Sequence, residues 1–296
     1  MNRRQRVLEF VRPAGRVGVE IGPLARPLIL REDGDILYAD HLGADDLRRK
    51  YDGHPALGPE GVAGIAEVDV VLDRCSLAEA LGPRGPVDYV VAAHVIEHIP
   101  DPIRWLAEAA EALKADGLVC LVVPDKRFTF DHHRPVTPTG ALVAAHLNRL
   151  ERPPISAIYE QIARACPVHA PAVWKGHRVD PTPYPGGGPA EALRIVREVA
   201  GTDTYVDAHC TVFTPHSFAV ALAEILALGL IPFACEAFAP TLPNEDEFFV
   251  LLRKRDAWSP EARAASVPSL DAKRHHDLPP SRVSAWIRSA ARARGL

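Results

Sequence analysis

VGVEIGPLARPLILREDGDILYAD, residues 17–40, decides how the rest of the chain is read. Val17, Val19 and Ile21 make a short apolar run that stops at Gly22 and Pro23, the ending expected of a buried strand. Glu20 lies inside that run, where a carboxylate is costly unless it is paired or hydrogen-bonds a ligand. Residues 36–40 form a second run closing on Asp40. Two neighbouring strands that end near acids at a glycine turn suggest a nucleoside pocket. In doubly wound folds ligands bind beyond the carboxyl ends of the strands, and an acid closing the second strand accepts hydrogen bonds from a ribose diol. The same residues also suit an ordinary βαβ turn with a surface Asp.

Working outward, Val7, Leu8 and Val11 are spaced for a short amphipathic helix over residues 3–11, and residues 44–51 read as a charged surface helix. A third strand is expected at 68–73, ending in Asp73, with a short helix at 76–81 behind it. A fourth strand at 87–93 runs directly into His94-Val-Ile-Glu97-His98. Pro100-Asp101-Pro102 opens a helix with apolar positions 103, 106, 109, 110 and 113, which Asp116-Gly117 stops. The continuously apolar run at 118–123 suits a strand buried on both faces. This alternation, with short connections, predicts a parallel doubly wound sheet.

Residues 128–208 behave differently. A proline break at 152–154, a glycine-rich turn at 185–189 and two modest helices near 139–150 and 189–200 mark an insertion, the usual form of a lid or substrate wall. The sheet pattern returns with a helix at 215–228 and strands at 230–234 and 247–253, expected as an antiparallel hairpin at the sheet edge. The layout is therefore a core of 1–127 plus 209–255, an insertion at 128–208, and a polar tail at 256–296 with a short basic helix at 281–294.

At 296 residues, 47% hydrophobic and 24% charged, the composition is close to average soluble usage and indicates neither disorder nor a membrane class. A formal charge of −4 argues against general nucleic-acid binding. Five scattered cysteines read as reduced packing residues, and the basic N-terminus has no apolar stretch long enough for a signal peptide. A cytoplasmic protein with a small-molecule partner is expected, with no membrane or nucleic-acid partner and with oligomeric state open.

On these motifs the chain resembles the class I S-adenosylmethionine-dependent methyltransferases, in particular a bacterial small-molecule branch carrying a Glu-His pair after the fourth strand. The similarity spans about 17–125 and 214–253. It implies an α/β fold: a doubly wound, mostly parallel, Rossmann-like seven-stranded sheet with an inserted helical or irregular substrate cap. It implies S-adenosylmethionine as cofactor, with Glu20, Gly22, Pro23 and Arg26 around its methionine part and Asp40 and His41 at its ribose. Asp73, Arg74 and Cys75 would meet the adenine, and His94 the sulfonium. Only Gly22 survives of the two or three glycines usual in the first turn, so Arg26 is expected to compensate by meeting the cofactor carboxylate. A Rossmann dehydrogenase would need G-x-G-x-x-G here, and no P-loop is present.

Methyl transfer from a sulfonium needs alignment and water exclusion, and a base when the acceptor is a hydroxyl or protonated amine. The stretch PDKRFTFDHHRP, residues 124–135, concentrates charge beside the expected entrance. His132 or His133 is read as that base, oriented by Asp131, with Lys126, Arg127 or Arg134 on an anionic or hydroxylated acceptor. A set of salt links stapling the insertion is the alternative. His209, in Asp207-Ala-His209-Cys210, is a further catalytic candidate that would close the site from the far side. His94, Glu97 and His98 match H-x-x-E-H, but a zinc-protease motif belongs inside a helix. They also resemble the divalent-metal site of quinone-biosynthesis O-methyltransferases, with His in place of an acid; a divalent metal is left open and not favoured. A zinc site of Cys166, His169, His209 and Cys210 has poor spacing. The expected function is methylation of a small polar acceptor, a sugar or secondary-metabolite intermediate, at oxygen before nitrogen. The rivals are a non-methylating transferase or cyclase using the same cofactor and a non-catalytic binding protein.

Overall fold

The computed structural model describes residues 2–270 apart from 55, 56 and 74. The elements in order are α1 (Arg3–Val11), β1 (Val17–Ile21), β2 (Asp35–Asp40), α2 (Ala44–Lys50), α3 (Gly58–Ala63), β3 (Val70–Val71), α4 (Leu77–Leu81), β4 (Val87–Ala93) and α5 (Pro102–Glu111). They continue with β5 (Leu113–Pro124), α6 (Thr139–Leu147), α7 (Ile155–Arg164), α8 (Ala170–Trp174), α9 (Pro189–Val199), α10 (Pro215–Ala227), β6 (Phe233–Ala239), β7 (Glu247–Lys254) and α11 (Pro260–Ala265).

Among the described residues the sheet has seven strands in the order β3-β2-β1-β4-β5-β7-β6. The first five are parallel, and β7 and β6 add antiparallel at the edge. The expected doubly wound, mostly parallel α/β architecture is what the chain forms. Because side chains alternate along a strand, β5 feeds two cores. Val119, Leu121 and Val123 pack under α4, α5 and α10, whereas Leu118, Cys120 and Val122 pack under α1. Each such fully buried aliphatic side chain contributes about 1.5–3 kcal/mol.

Local chemistry sets the helix starts that border the site. Asp101 caps α5, its Oδ1 accepting from Arg104 N at 2.9 Å with Pro102 at the first helical position. Thr214 and Ser217 form a reciprocal capping box on α10.

Boundaries differ where tertiary contacts override pattern. β3 is two residues long and stops before Asp73. Strand β5 starts at Leu113 and carries an irregularity in its pairing with β4, with Asp116 left-handed at φ 59°. The strand expected at 230–234 runs Phe233–Ala239 instead, since its partner β7 sets its length. Residues 128–208 hold α7 and α8 besides the two expected helices; α7 and α9 share a small core of Ile158, Val196 and Ala208. Part of the expected polar tail is folded: α11 buries Arg263, whose guanidinium donates to Ile231 O and Arg255 O. The basic helix expected at 281–294 lies outside the described residues. Among the described residues no helix is long and apolar enough to cross a membrane.

A Cβ built on Gly18 falls 2.0 Å from Cζ of Tyr89, a ring with no exposure on the adjacent strand. Gly18→Ala is expected to lower stability by about 2 kcal/mol or more, seen as a lower urea midpoint at unchanged slope.

Candidate active site

The chain climbs β1, β2 and β3 to one side, then returns to β4 on the other, so the order reverses between β1 and β4. A cleft of about 650 Å³ opens at the carboxyl ends of these strands, the place where open α/β sheets bind ligands. Gly22, Asp40, His41, Cys75 and His94 line it, as the sequence suggested.

Glu20 does not line it. Strand alternation turns Glu20 away from Val19 and Ile21 to the opposite face of the sheet, where its carboxylate accepts from Leu28 N at 2.8 and 3.0 Å and from Ile29 N at 2.9 Å. Burial raises its pKa to about 7, with the two backbone amides pulling the other way. The expected ligand contact is corrected to a brace: Glu20 folds residues 22–31 back onto the sheet. Gly22 then takes φ 66°, with its N–H donating to Ala39 O at 2.8 Å. A left-handed backbone there suits glycine and no other residue well. Pro23 is buried, and Arg26 and Asp73 are exposed; none of the three borders the cleft. The braced turn carries Arg26 outward, and β3 ends at Val71, short of Asp73. Arg74 lies outside the described residues.

Asp40 is buried, and its Oδ1 accepts from His41 N at 2.7 Å and from His41 Nδ1 at 2.5 Å. His94 sits at φ 54° where β4 ends. Its Nε2 donates to Glu247 at 2.9 Å, and its Nδ1 is 3.6 Å from Glu97. Burial alone would lower the His94 pKa, but the hydrogen bond to Glu247 and the charge of Glu97 raise it.

The four catalytic candidates divide into two places, and none of them lines the cleft. His132 turns its Nδ1 to Arg127 O at 2.7 Å, and its own carbonyl accepts from Lys126 Nζ at 2.9 Å. His133 is its edge-on neighbour. These contacts tie the stretch to itself, and neither histidine lines the cleft. Asp131 and His209 do meet, Oδ2 to Nδ1 at 2.6 Å, but inside the protein. Asp131 orients His209. The basic residues of the same stretch are also spoken for. Arg127 chelates Asp125, which also accepts from Thr241, while Arg134 bonds Asp131 and His209 O. These contacts are of the kind the stapling alternative expected.

Sequence reasoning left out of the cleft Lys50, Tyr51, Trp105, Glu108, Glu151 and Tyr205. Trp105 alone carried a readable signal, an aromatic in the first turns of the helix after the fourth strand. His98 and Asp207 also line it. His98 Nδ1 bonds Asp207 at 2.9 Å. Burial would lower the His98 pKa, but that bond and the charges of Glu97 and Asp207 raise it. The ring of His98 stands edge-on to His209, centroids 4.6 Å apart. Donor atoms of Glu97, His98 and His209 all lie within 4.8 Å of one another.

The profile of a family described as a methyltransferase domain matches residues 35–225, more than half of the chain, and the chain belongs to that family. Two curated proteins of Mycobacterium tuberculosis, the probable S-adenosylmethionine-dependent methyltransferases MT3114 (strain CDC 1551) and Rv3030 (strain H37Rv), are each 33% identical over 132 residues. That alignment covers 43% of this chain and 44% of each relative, so the chain spans less than half of their length. Among solved structures, an S-adenosylmethionine-dependent methyltransferase from Aquifex aeolicus is 11% identical with a TM-score of 0.40, covering 85% of this chain and 89% of that one. One from Mesorhizobium loti is 16% identical with a TM-score of 0.39, covering 85% and 95%. Likeness at that level carries no argument about function.

Asp131 has a lowered pKa: burial works against this and is outweighed by the hydrogen bond from His209 and the charge of Arg134. The stability it contributes is complete above the ordinary carboxylate range and is lost as pH falls through its depressed folded value. Asp131→Asn leaves the Arg134 guanidinium buried without its counter-charge, so a loss of roughly 3–5 kcal/mol is expected at pH 7. Urea titrations should show this gap narrowing below about pH 4.

Proposed function

We propose that this cleft binds S-adenosylmethionine and that the protein transfers its methyl group to an oxygen of a small polar acceptor, a sugar or secondary-metabolite intermediate. One observation carries the reading: the cleft occupies the strand-order reversal, with Asp40 closing β2 beside the Gly22 turn. Membership of a methyltransferase-domain family supports it, as do the names of the two mycobacterial relatives.

In this reading Asp40 receives the ribose hydroxyls. Leu72, Cys75 and Leu77, with Trp105 and Ala109 of α5, form the apolar slot for the adenine. Gly22 and His94 border the methionine end. The carbon–sulfur bond of the sulfonium breaks as the acceptor oxygen supplies the electron pair for the new bond, and the neutral thioether leaves. The protein's part is to line up acceptor, methyl carbon and sulfur and to keep water out. Glu151, Tyr205 and Asp207 come to the cleft from the 128–208 segment, which supports its assignment as the substrate-recognition wall. His98 stands on the same wall, and its imidazole accounts for the preference for a hydroxylated acceptor, whose proton must be taken up or its oxygen polarised. A mixed lining of four carboxylates with Lys50 and three histidines favours a polar molecule over a flat apolar one.

Calorimetric titration with S-adenosylhomocysteine is expected to give one site per chain, weakened at least tenfold by Asp40→Ala, about 1.4 kcal/mol. His98→Asn should keep that affinity while slowing turnover in an acceptor screen read by mass for the added methyl. Absence of S-adenosylhomocysteine binding by the wild-type chain would overturn the reading; a consumed cofactor without methylated product would replace it with another transfer.

A further inference from the structure

Glu97 is 1% exposed, and among the described residues neither of its carboxylate oxygens has a hydrogen-bond partner. A buried carboxylate in that state is far out of balance, since losing hydration without replacement costs several kcal/mol. Its closest ionic neighbour is His94 Nδ1 at 3.6 Å, beyond hydrogen-bond range. Something that bonds to oxygen is called for at this point.

The surroundings specify what. His98 and His209 bring their rings to the same place. Each has its Nδ1 engaged by a carboxylate, His98 by Asp207 at 2.9 Å and His209 by Asp131 at 2.6 Å. By elimination each leaves Nε2 to coordinate. A carboxylate behind each imidazole fixes tautomer and ring orientation and strengthens the nitrogen as a donor, the arrangement found around metal-bound histidines. The loops that carry the donors are joined independently of any ion. Cys210 N and Thr211 N donate to Glu97 O at 2.6 and 3.2 Å, and Cys210 Sγ donates to His98 O at 3.3 Å. The three donors therefore stand on a fixed frame of two segments more than a hundred residues apart in sequence.

We propose that Glu97, His98 and His209 bind one divalent transition-metal ion at the wall of the cleft. Two imidazoles and one carboxylate select zinc, cobalt, nickel, iron or manganese over magnesium and calcium, which prefer all-oxygen shells. Three protein donors leave positions for water or a ligand oxygen. His98 is shared between the metal set and the cleft lining, so an ion here borders the acceptor's side. This deepens the methyl-transfer reading, on which its second half rests: the acceptor is an alcohol or vicinal diol whose oxygen the ion polarises, in the place otherwise given to a free imidazole at His98.

The test uses the full chain stripped with a chelator, titrated with cobalt(II) chloride under visible absorption and with zinc chloride by calorimetry. The expected result is one ion per chain, with the cobalt d–d bands of a nitrogen-oxygen site. Glu97→Gln and His209→Ala should abolish those bands. Asp207→Asn, a substitution at a half-exposed side chain, should keep the one-to-one stoichiometry and weaken affinity roughly 10–100-fold. Circular dichroism of the variants checks that they remain folded. No cobalt bands and no zinc heat with the wild-type chain would overturn the site, as would a titration unchanged by Glu97→Gln and Asp207→Asn. Parallel titration with S-adenosylhomocysteine separates the two readings. Nucleoside binding without metal binding sinks the ion alone, and metal binding without nucleoside binding sinks the methyl-transfer reading alone.

Discussion

The cleft depends on one buried carboxylate. A first turn with a single glycine has too few flexible positions to wrap a ligand by itself, yet the turn here is closed and in place. Glu20, on the face of β1 that points away from the cleft, gathers the amides of Leu28 and Ile29 and holds residues 22–31 against the sheet. The hydrogen bonds offset part of the cost of burying the carboxyl group, and burial still raises its pKa to about 7. Gly22 supplies a left-handed position, φ 66°, that glycine takes at little cost, and Leu24 takes a second at φ 45°. Missing glycines are thus replaced by a tether from behind.

The far wall of the cleft rests on a second set of buried polar contacts. Asp131 is held between Arg134 and His209, and Asp125 between Arg127 and Thr241. Each charge in these sets is matched by a counter-charge or hydrogen bonds, the condition under which buried ions are tolerated. The effect is to fasten an insertion with a small core of its own to the end of β5, so that Asp207 and Tyr205 reach the cleft from a segment distant in sequence. Charges of residues 124–135 are engaged in these contacts, while His98 faces the cleft with Glu97 and His209 beside it.

Much of the fold was legible in the sequence because its signals are local. The apolar run at 118–123 reads as a two-faced strand, Pro102 after Asp101 as a helix start, and the hairpin of β6 and β7 as an edge. Boundaries were less legible: β3 shrinks to two residues and β6 shifts toward the chain's C-terminus because pairing partners, not propensity, set where ladders end. In the site, Gly22, Asp40, His41, Cys75 and His94 were readable because strand ends point at a fixed place in this topology. That His132 and His133 stay out of the cleft lining was not readable, because proximity along the chain says nothing about which way a side chain turns after a strand ends.

The sequence by itself determined the class of sheet and the residues at the ends of β1, β2 and β4, because alternating short apolar runs and punctuating glycines and prolines act within a few residues. Only the tertiary structure decided that Glu20 braces rather than binds, that Asp131 pairs with His209, and that Glu97, His98 and His209 converge. Those outcomes depend on which face of a strand a residue takes and on contacts between segments as much as 112 residues apart. No local pattern encodes them; the packing of the insertion against the sheet does.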